Sequence, residues 1–217
     1  MNAAKSQQLA ERTPACDLPG RRLRIAYPAR TTGKPPMHAT GEPPAPGYEV
    51  RIVELRIGDS DYRMRALSDR QQYSDPDGDA ERAGISSATW PIFGQLWPAG
   101  IVLAEAANAM PIAGRRILEF GCGLALTSLV LQRRGADITA CDHHPLVEDF
   151  LRQNAALNRL PQVRYRDAPW ESDDADLGRY GLLLGGDVLY ERDHVPLLAG
   201  FLQRHADPIA EIVVADP

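Results

Sequence analysis

The chain has 217 residues, 24% of them charged and 44% hydrophobic, with a formal net charge of −5; that suits one ordinary domain with an appendage and a substantial core. The acidic balance gives no reason to expect nucleic acid as a partner, no apolar run approaches the ~18 residues of a membrane span, and the polar start lacks the apolar stretch of a signal peptide. Cys16, Cys122 and Cys141 form no CxxC pair, so neither a disulfide framework nor a zinc knuckle is expected, and a reducing, cytoplasmic setting is.

Residues 1–47 hold 8 of the 18 prolines and 7 Lys/Arg against 3 Asp/Glu, which predicts a disordered basic segment. A domain is expected over 48–217. It opens over 48–75 with VRIVELRI, a GDSD turn and YRMRAL, alternation that predicts a β-hairpin, and continues through a polar loop from Asp75 to Glu81. The core, 90–217, starts with WPIFGQLWPAGIVLAEAAN, where Pro98 suits the first turn of a helix. RRILEFG reads as a buried strand, and LALTSLVLQRR as a helix stopped by Gly135. ADITACD is the second strand, and Pro145 opens the next helix, with Val147, Phe150, Leu151, Asn154 and Leu157 on one face. PQVRYRD and YGLLLGGDVLY are the third and fourth strands; Asp193 caps a helix through Arg204, and AEIVVAD is the fifth strand. Short apolar strands alternating with amphipathic helices specify parallel pairing with right-handed crossovers, a Rossmann-like, doubly wound, mostly parallel α/β sheet.

In such a sheet a ligand sits beyond the carboxyl ends of the strands, which points to the loop EFGCGLAL. Gly121 and Gly123 lack side chains where the chain turns tightly and approaches a ligand. A dinucleotide fingerprint beginning at Gly121 needs a third glycine where Leu126 stands, so the dehydrogenase reading loses ground. The methyltransferase pattern asks instead for an acid two residues before the first glycine, met by Glu119, and for glycines spaced by two, met by Gly121 and Gly123 with Ala125 following. Asp142 ends the second strand 19 residues after Gly123, where an acid accepts hydrogen bonds from two ribose hydroxyls; a strand-end Asp capping the next helix is the competing reading. His143 and His144 diverge along the strand without a matching cluster, so no metal is expected. Trp170 offers a face for adenine or serves as core, and Trp97 is either a ligand contact or a helix anchor. Gly185 and Gly186 interrupt an apolar strand, which weakens packing unless something approaches the backbone; a ligand is the natural candidate.

The ordered set FGQLWPAGIVLAE, ILEFGCGLAL, a Trp after the third strand, and GGDVLY resembles the seven-strand (class I) protein-lysine methyltransferases with a DxxY motif. Their bacterial relatives are often labelled nicotinamide N-methyltransferase-like, and the resemblance runs from about Tyr48 to the C-terminus. It implies S-adenosyl-L-methionine as cofactor, held by Trp97, Glu119, Gly121, Cys122, Gly123, Asp142, Trp170 and Gly186, with Asp187 and Tyr190 as the catalytic pair. The implied activity is methyl transfer to a protein lysine; a small-molecule amine is the acceptor in the alternative reading, and a cofactor-binding or interaction module without turnover is the third. Resembling domains append a helix and a two-strand hairpin after the fifth strand. Without them AEIVVAD is expected to be an exposed apolar edge through which the chain self-associates.

A lysine amine, with a reference pKa near ~10.4, is mostly protonated at neutral pH. A sulfonium and burial push that pKa down while Asp187 pushes it up, so Asp187 serves best as hydrogen-bond acceptor and orienter. In a straight strand Tyr190 would face away from Asp187, so the chain is expected to turn after Asp187.

Overall fold

The computed structural model describes residues 23–26, 47–172 and 175–216. The segment expected to be disordered lies outside the described residues, apart from β1 (Leu23–Ala26) and Gly47. The alternating stretch forms β2 (Val50–Ile57) and β3 (Ser60–Leu67), antiparallel, with Val50 opposite Leu67 and Ile57 opposite Ser60. Gly58 makes the turn at φ +54°. The free edge of β3 is completed by side chains of α4 (Val147–Leu157) and the residue after it. Asn154 Oδ1 accepts the Arg65 N–H at 2.7 Å, and Asn158 accepts the Arg63 N–H at 2.9 Å while donating to the Arg63 carbonyl at 2.7 Å. This ladder explains a fully buried Asn154 on an otherwise apolar face.

Part of the polar loop is helical. Asp79–Arg82 (α1) forms one turn because the Asp75 carboxylate accepts the N–H groups of Ala80 and Glu81 at 3.0 and 2.9 Å. A 3₁₀ turn, Trp90–Gly94, precedes α2 (Pro98–Ala109), with Pro98 in the first turn as expected. There follow β4 (Arg116–Phe120), α3 (Leu126–Arg133), β5 (Asp137–Asp142), α4, β6 (Arg164–Asp167), β7 (Tyr180–Gly186), α5 (His194–His205) and β8 (Ala206–Ala215). They make a sheet of order β1-β8-β7-β4-β5-β6, every pair of which is parallel. Its side chains alternate between two cores. Ile117, Leu182, Leu184 and Val213 face α3, α4 and the hairpin, whereas Leu118, Phe120, Leu183, Ile212 and Val214 face α5.

Several expectations are corrected. The helix expected from Pro145 begins at Val147. Asp193 occupies the first cap position of α5 without making a side-chain cap bond. The fifth strand starts at Ala206, and its register with β7 shifts between Tyr180 and Leu182, which accommodates Pro208 in an irregular stretch. The edge expected to lie exposed carries β1, paired in parallel from Leu23 opposite Ile212 to Ala26 opposite Ala215. The paired glycines also have a packing reason, and of the two Gly186 lines the cleft. A Cβ on Gly185 would stand 2.3 Å from the Phe120 ring and one on Gly186 would stand 3.1 Å from Gly100 Cα, so they admit an aromatic ring and the start of α2.

Candidate active site

Winding reverses between β4 and β7, neighbours in the sheet whose following helices pack on opposite faces, so a crevice opens beyond their carboxyl ends. It is a cleft of about 590 Å³, within the ~300–1,000 Å³ usual for small-molecule sites. All ten residues singled out from the sequence line it: Trp97, Glu119, Gly121, Cys122, Gly123, Asp142, Trp170, Gly186, Asp187 and Tyr190.

The glycine loop forms one wall. Gly121, Gly123 and Ala125 all take positive φ, +58°, +50° and +58°, so the residue replacing a third glycine carries its methyl group in a left-handed conformation. A Cβ on Gly123 would meet the Phe93 carbonyl oxygen at 2.9 Å, and one on Gly121 would meet Val188 at 2.9 Å and the Trp170 ring at 3.5 Å. Both glycines are therefore required by close packing as well as by backbone angle. The Cys122 N–H donates to the Cys141 carbonyl at 3.0 Å, and burial pushes the Cys122 thiol well above its ordinary value, leaving it an inert filler of the floor.

Two acids shape this loop. Glu119, 5% exposed, accepts the Ser128 N–H at 2.8 Å and the Ser128 hydroxyl, tying β4 to the first turn of α3. Burial raises its carboxyl to about 7 against the opposing pull of those hydrogen bonds. Asp142 Oδ2 accepts the Gly123 N–H at 2.9 Å, and its Oδ1 accepts the N–H groups of His143 and His144 at 2.8 and 3.0 Å. Of roughly four acceptor positions on a carboxylate three are engaged by the protein's own backbone, and acceptor capacity stays open for a sugar hydroxyl. The capping reading of Asp142 is not realised: its Oδ1 is spent on the turn ahead of α4, and α4 itself has no side-chain cap.

The opposite wall is aromatic. The Trp170 indole stands over Gly121 and perpendicular to the His194 ring at 5.4 Å. Trp97 caps the start of α2, and its Nε1–H donates to the Ile92 carbonyl at 3.0 Å, which anchors the helix while leaving the residue on the cleft. At the far end the chain turns at Asp187 itself, not after it: Asp187 has φ +55°, and its N–H donates to the Ala215 carbonyl at 2.8 Å. Its Oδ2 accepts the Gly100 N–H at 3.1 Å, so it also holds the start of α2 from across the cleft. Burial raises the Asp187 carboxyl, opposed by these helix N–H groups. Tyr190 is half exposed, and burial together with the Asp142 and Glu191 carboxylates pushes its hydroxyl up to about 12.

Phe93, Glu191 and His194 also line the cleft and were not singled out from the sequence, and His144, weighed there only as a metal ligand, lines it too. His144 stacks on Phe93 at 3.9 Å, and burial lowers it to about 4. The one signal for the others is the run YERDH, which sets a histidine one helical turn after Tyr190. Among the described residues no helix is long and apolar enough to cross a membrane, and no group of three or more His, Cys, Asp or Glu converges as a metal site.

A family model described as lysine methyltransferase matches residues 86–216. Over 135 residues the chain is 30% identical to protein N-lysine methyltransferase METTL21A of Danio rerio, covering 58% of this chain and 57% of that protein. Over 103 residues it is 30% identical to histone-arginine methyltransferase METTL23 of Rattus norvegicus, covering 44% and 46%. The chain thus spans about half the length of these relatives. Among solved structures, the 16S rRNA N2 G1207 methyltransferase RsmC of T. thermophilus superposes with a TM-score of 0.52 at 17% identity, over 76% of this chain and 41% of that one; the likeness is one of fold.

Proposed function

That this chain belongs to the lysine methyltransferase family is the premise from which we propose that it transfers a methyl group from S-adenosylmethionine to the side-chain amine of a protein lysine. One observation carries the reading: among the described residues the cleft is lined by the carboxylates Glu119, Asp142, Glu171, Asp187 and Glu191 and by no Lys or Arg, with Arg70 outside it against the Trp97 ring. A crevice of one sign, walled by protein, concentrates cations, and both the sulfonium cofactor and a lysine ammonium are cations. The lysine relative supports the acceptor class; the arginine relative keeps a guanidinium as the rival.

The residues present fit the cofactor. Gly121 and Gly123 give backbone approach, Asp142 keeps acceptor capacity for a sugar hydroxyl, and the Trp170 indole supplies an apolar wall beside Gly121. When bound, S-adenosylmethionine supplies a methyl group on a sulfonium, displaced by the acceptor's nitrogen lone pair with a neutral thioether leaving. Positioning then dominates the rate. Asp187 keeps acceptor positions beyond those turned to the N–H groups of Ala99 and Gly100 and orients the amine by accepting its N–H. Tyr190, its hydroxyl held up at about 12, keeps its proton at neutral pH and borders the amine's path as a donor.

Incubating the purified protein with methyl-labelled cofactor and a cell lysate, then separating acid-hydrolysed amino acids, tests this. Label is expected in methyl-lysine. Label confined to methyl-arginine, or to the small-molecule fraction, overturns the proposal.

A further inference from the structure

The turn that leads from Asp187 to Tyr190 starts from a backbone conformation that must be imposed on it. Asp187 stands at φ +55°. A left-handed residue other than glycine costs about 1–3 kcal/mol and persists only where its surroundings dictate it; aspartate tolerates the region better than most residues, which offsets part of that cost. The rest is supplied from the end of β8. Gly186 lies opposite Ala215 in the sheet, and pairing runs one step further into the turn, where the Asp187 N–H donates to the Ala215 carbonyl at 2.8 Å. The next residue along, Asp216, then takes over. Its Oδ2 accepts the Leu189 N–H at 2.9 Å. The Val188 N–H is turned to the same carboxylate, and these two donors pull its carboxyl down against the burial that raises it. The successive N–H groups of residues 187, 188 and 189 are thus gathered by the two successive residues Ala215 and Asp216. Successive N–H groups that converge beside a left-handed residue form an anion-holding concavity, and here the anion is a side chain of the protein itself.

The groups assigned to the reaction hang on this turn from both ends. Ahead of it, the Asp187 carboxylate reaches the N–H groups of Ala99 and Gly100 at the start of α2. Within it, Val188 is 3% exposed and packs against Gly121 of the glycine loop. Beyond it, Tyr190 lines the cleft, half exposed. Asp216 is not among the residues that line the cleft, so whatever it does for the reaction it does through the turn. We propose that Asp216 is a positioning residue for methyl transfer: by holding the N–H groups of Val188 and Leu189 it fixes the left-handed turn that sets Asp187 and Tyr190 on one pocket. This rests on the reading above that Asp187 orients an acceptor lysine. Without the Asp216 carboxylate, two N–H groups lose their acceptor and an ordinary negative φ at Asp187 becomes competitive, which swings the orienting carboxylate away from the amine's path. A displacement of about 1 Å at a reacting group costs up to about a hundredfold in rate, while the glycine loop and Asp142, which face the cofactor, stay in place.

Two variants of the full chain test this in the lysate assay with methyl-labelled S-adenosylmethionine. Asp216→Ala is expected to lower the cofactor-saturated rate of methyl-lysine formation by about ten- to a hundredfold, with KM for S-adenosylmethionine and calorimetric affinity for S-adenosylhomocysteine within about threefold of wild type. Asp216→Asn keeps an oxygen that can accept the Leu189 N–H and should recover the larger part of the lost rate. In ¹⁵N-labelled protein, hydrogen exchange at the Leu189 amide should quicken by about tenfold or more in Asp216→Ala and the amides of β4 and β5 should keep their wild-type rates. A wild-type methylation rate in Asp216→Ala, an Asp216→Asn no faster than Asp216→Ala, or a loss of cofactor affinity in parallel with rate overturns the assignment. Faster exchange spread over β4 and β5 also overturns it, because Asp216 is then a general support of the fold. Wild-type protein that binds cofactor yet puts no label into lysine overturns the lysine reading itself, and this inference with it.

Discussion

Glu119 is an acid that folding holds at a cost, and the cost has a definite dependence on pH. Its carboxyl goes from an ordinary value of 4.5 to about 7 in the fold, with burial as the leading cause and Ser128 in opposition. An acid raised on folding contributes stability that is fully present below about 4.5 and is lost as pH rises through about 7. At ~1.4 kcal/mol per pH unit the loss between pH 4 and 8 is about 3 kcal/mol. For a chain of this size that is on the order of 6–12 °C in Tm. Glu119→Gln keeps an oxygen for the Ser128 N–H and removes the charge. Thermal denaturation of both proteins from pH 4 to 8 is therefore expected to give similar melting points at the acid end and a variant several degrees more stable at the alkaline end. Taking the difference between the two curves removes titrations that they share. Curves that run parallel would refute the reasoning, because they would show a Glu119 with no displaced pKa. Cofactor binding gives an independent check: a cation bound in this cleft favours ionised Glu119, so wild-type affinity for S-adenosylmethionine should weaken on acidification below pH 7, and Glu119→Gln should be less sensitive to pH.

Three further outcomes are expected. Asp142→Ala leaves the N–H groups of Gly123, His143 and His144 without their carboxylate and should weaken S-adenosylhomocysteine binding by about 1–3 kcal/mol, read by calorimetry. Asp187→Asn tolerates the left-handed backbone and retains an oxygen for the Gly100 N–H, so it should bind cofactor within a few fold of wild type and lose methyl transfer. Asp187→Ala should additionally lose thermal stability by about 1 kcal/mol or more, as expected for a lost helix cap, which separates the orienting role from the structural one. Gly185→Ala would drive its methyl group 2.3 Å from the Phe120 ring; chemical denaturation should show it destabilised by about 1–3 kcal/mol and partly recovered by Phe120→Leu, whereas a glycine kept for a ligand would show a binding defect at unchanged stability.

Much of the fold was legible because its signals are local. Apolar strands of the type ILEF and LLL, alternating with helices that carry Val147, Phe150 and Leu151 on one face, specify parallel crossovers whatever lies around them. Spacing was equally informative at the site: Glu119, Gly121, Gly123 and Asp142 are brought together by one strand–loop–helix unit and its neighbour, so their convergence follows from the βαβ geometry. The single-turn helix after Asp75 was missed because its cap is a carboxylate reaching forward to Ala80 and Glu81 from outside the apolar pattern.

What the amino-acid order determined by itself was the sequence of elements, the sheet class and the location of the cleft, since periodicity and glycine spacing act over a few residues. Tertiary structure alone decided what fills the space around them: Phe120 rather than a ligand opposite Gly185, Asp187 as the tether of α2, Asn154 and Asn158 as the edge of β3, and His194 set between Tyr190 and Trp170. These are contacts between residues far apart in the chain or a turn apart across a loop. Their distances are set by how helices and strands pack, which no local pattern encodes.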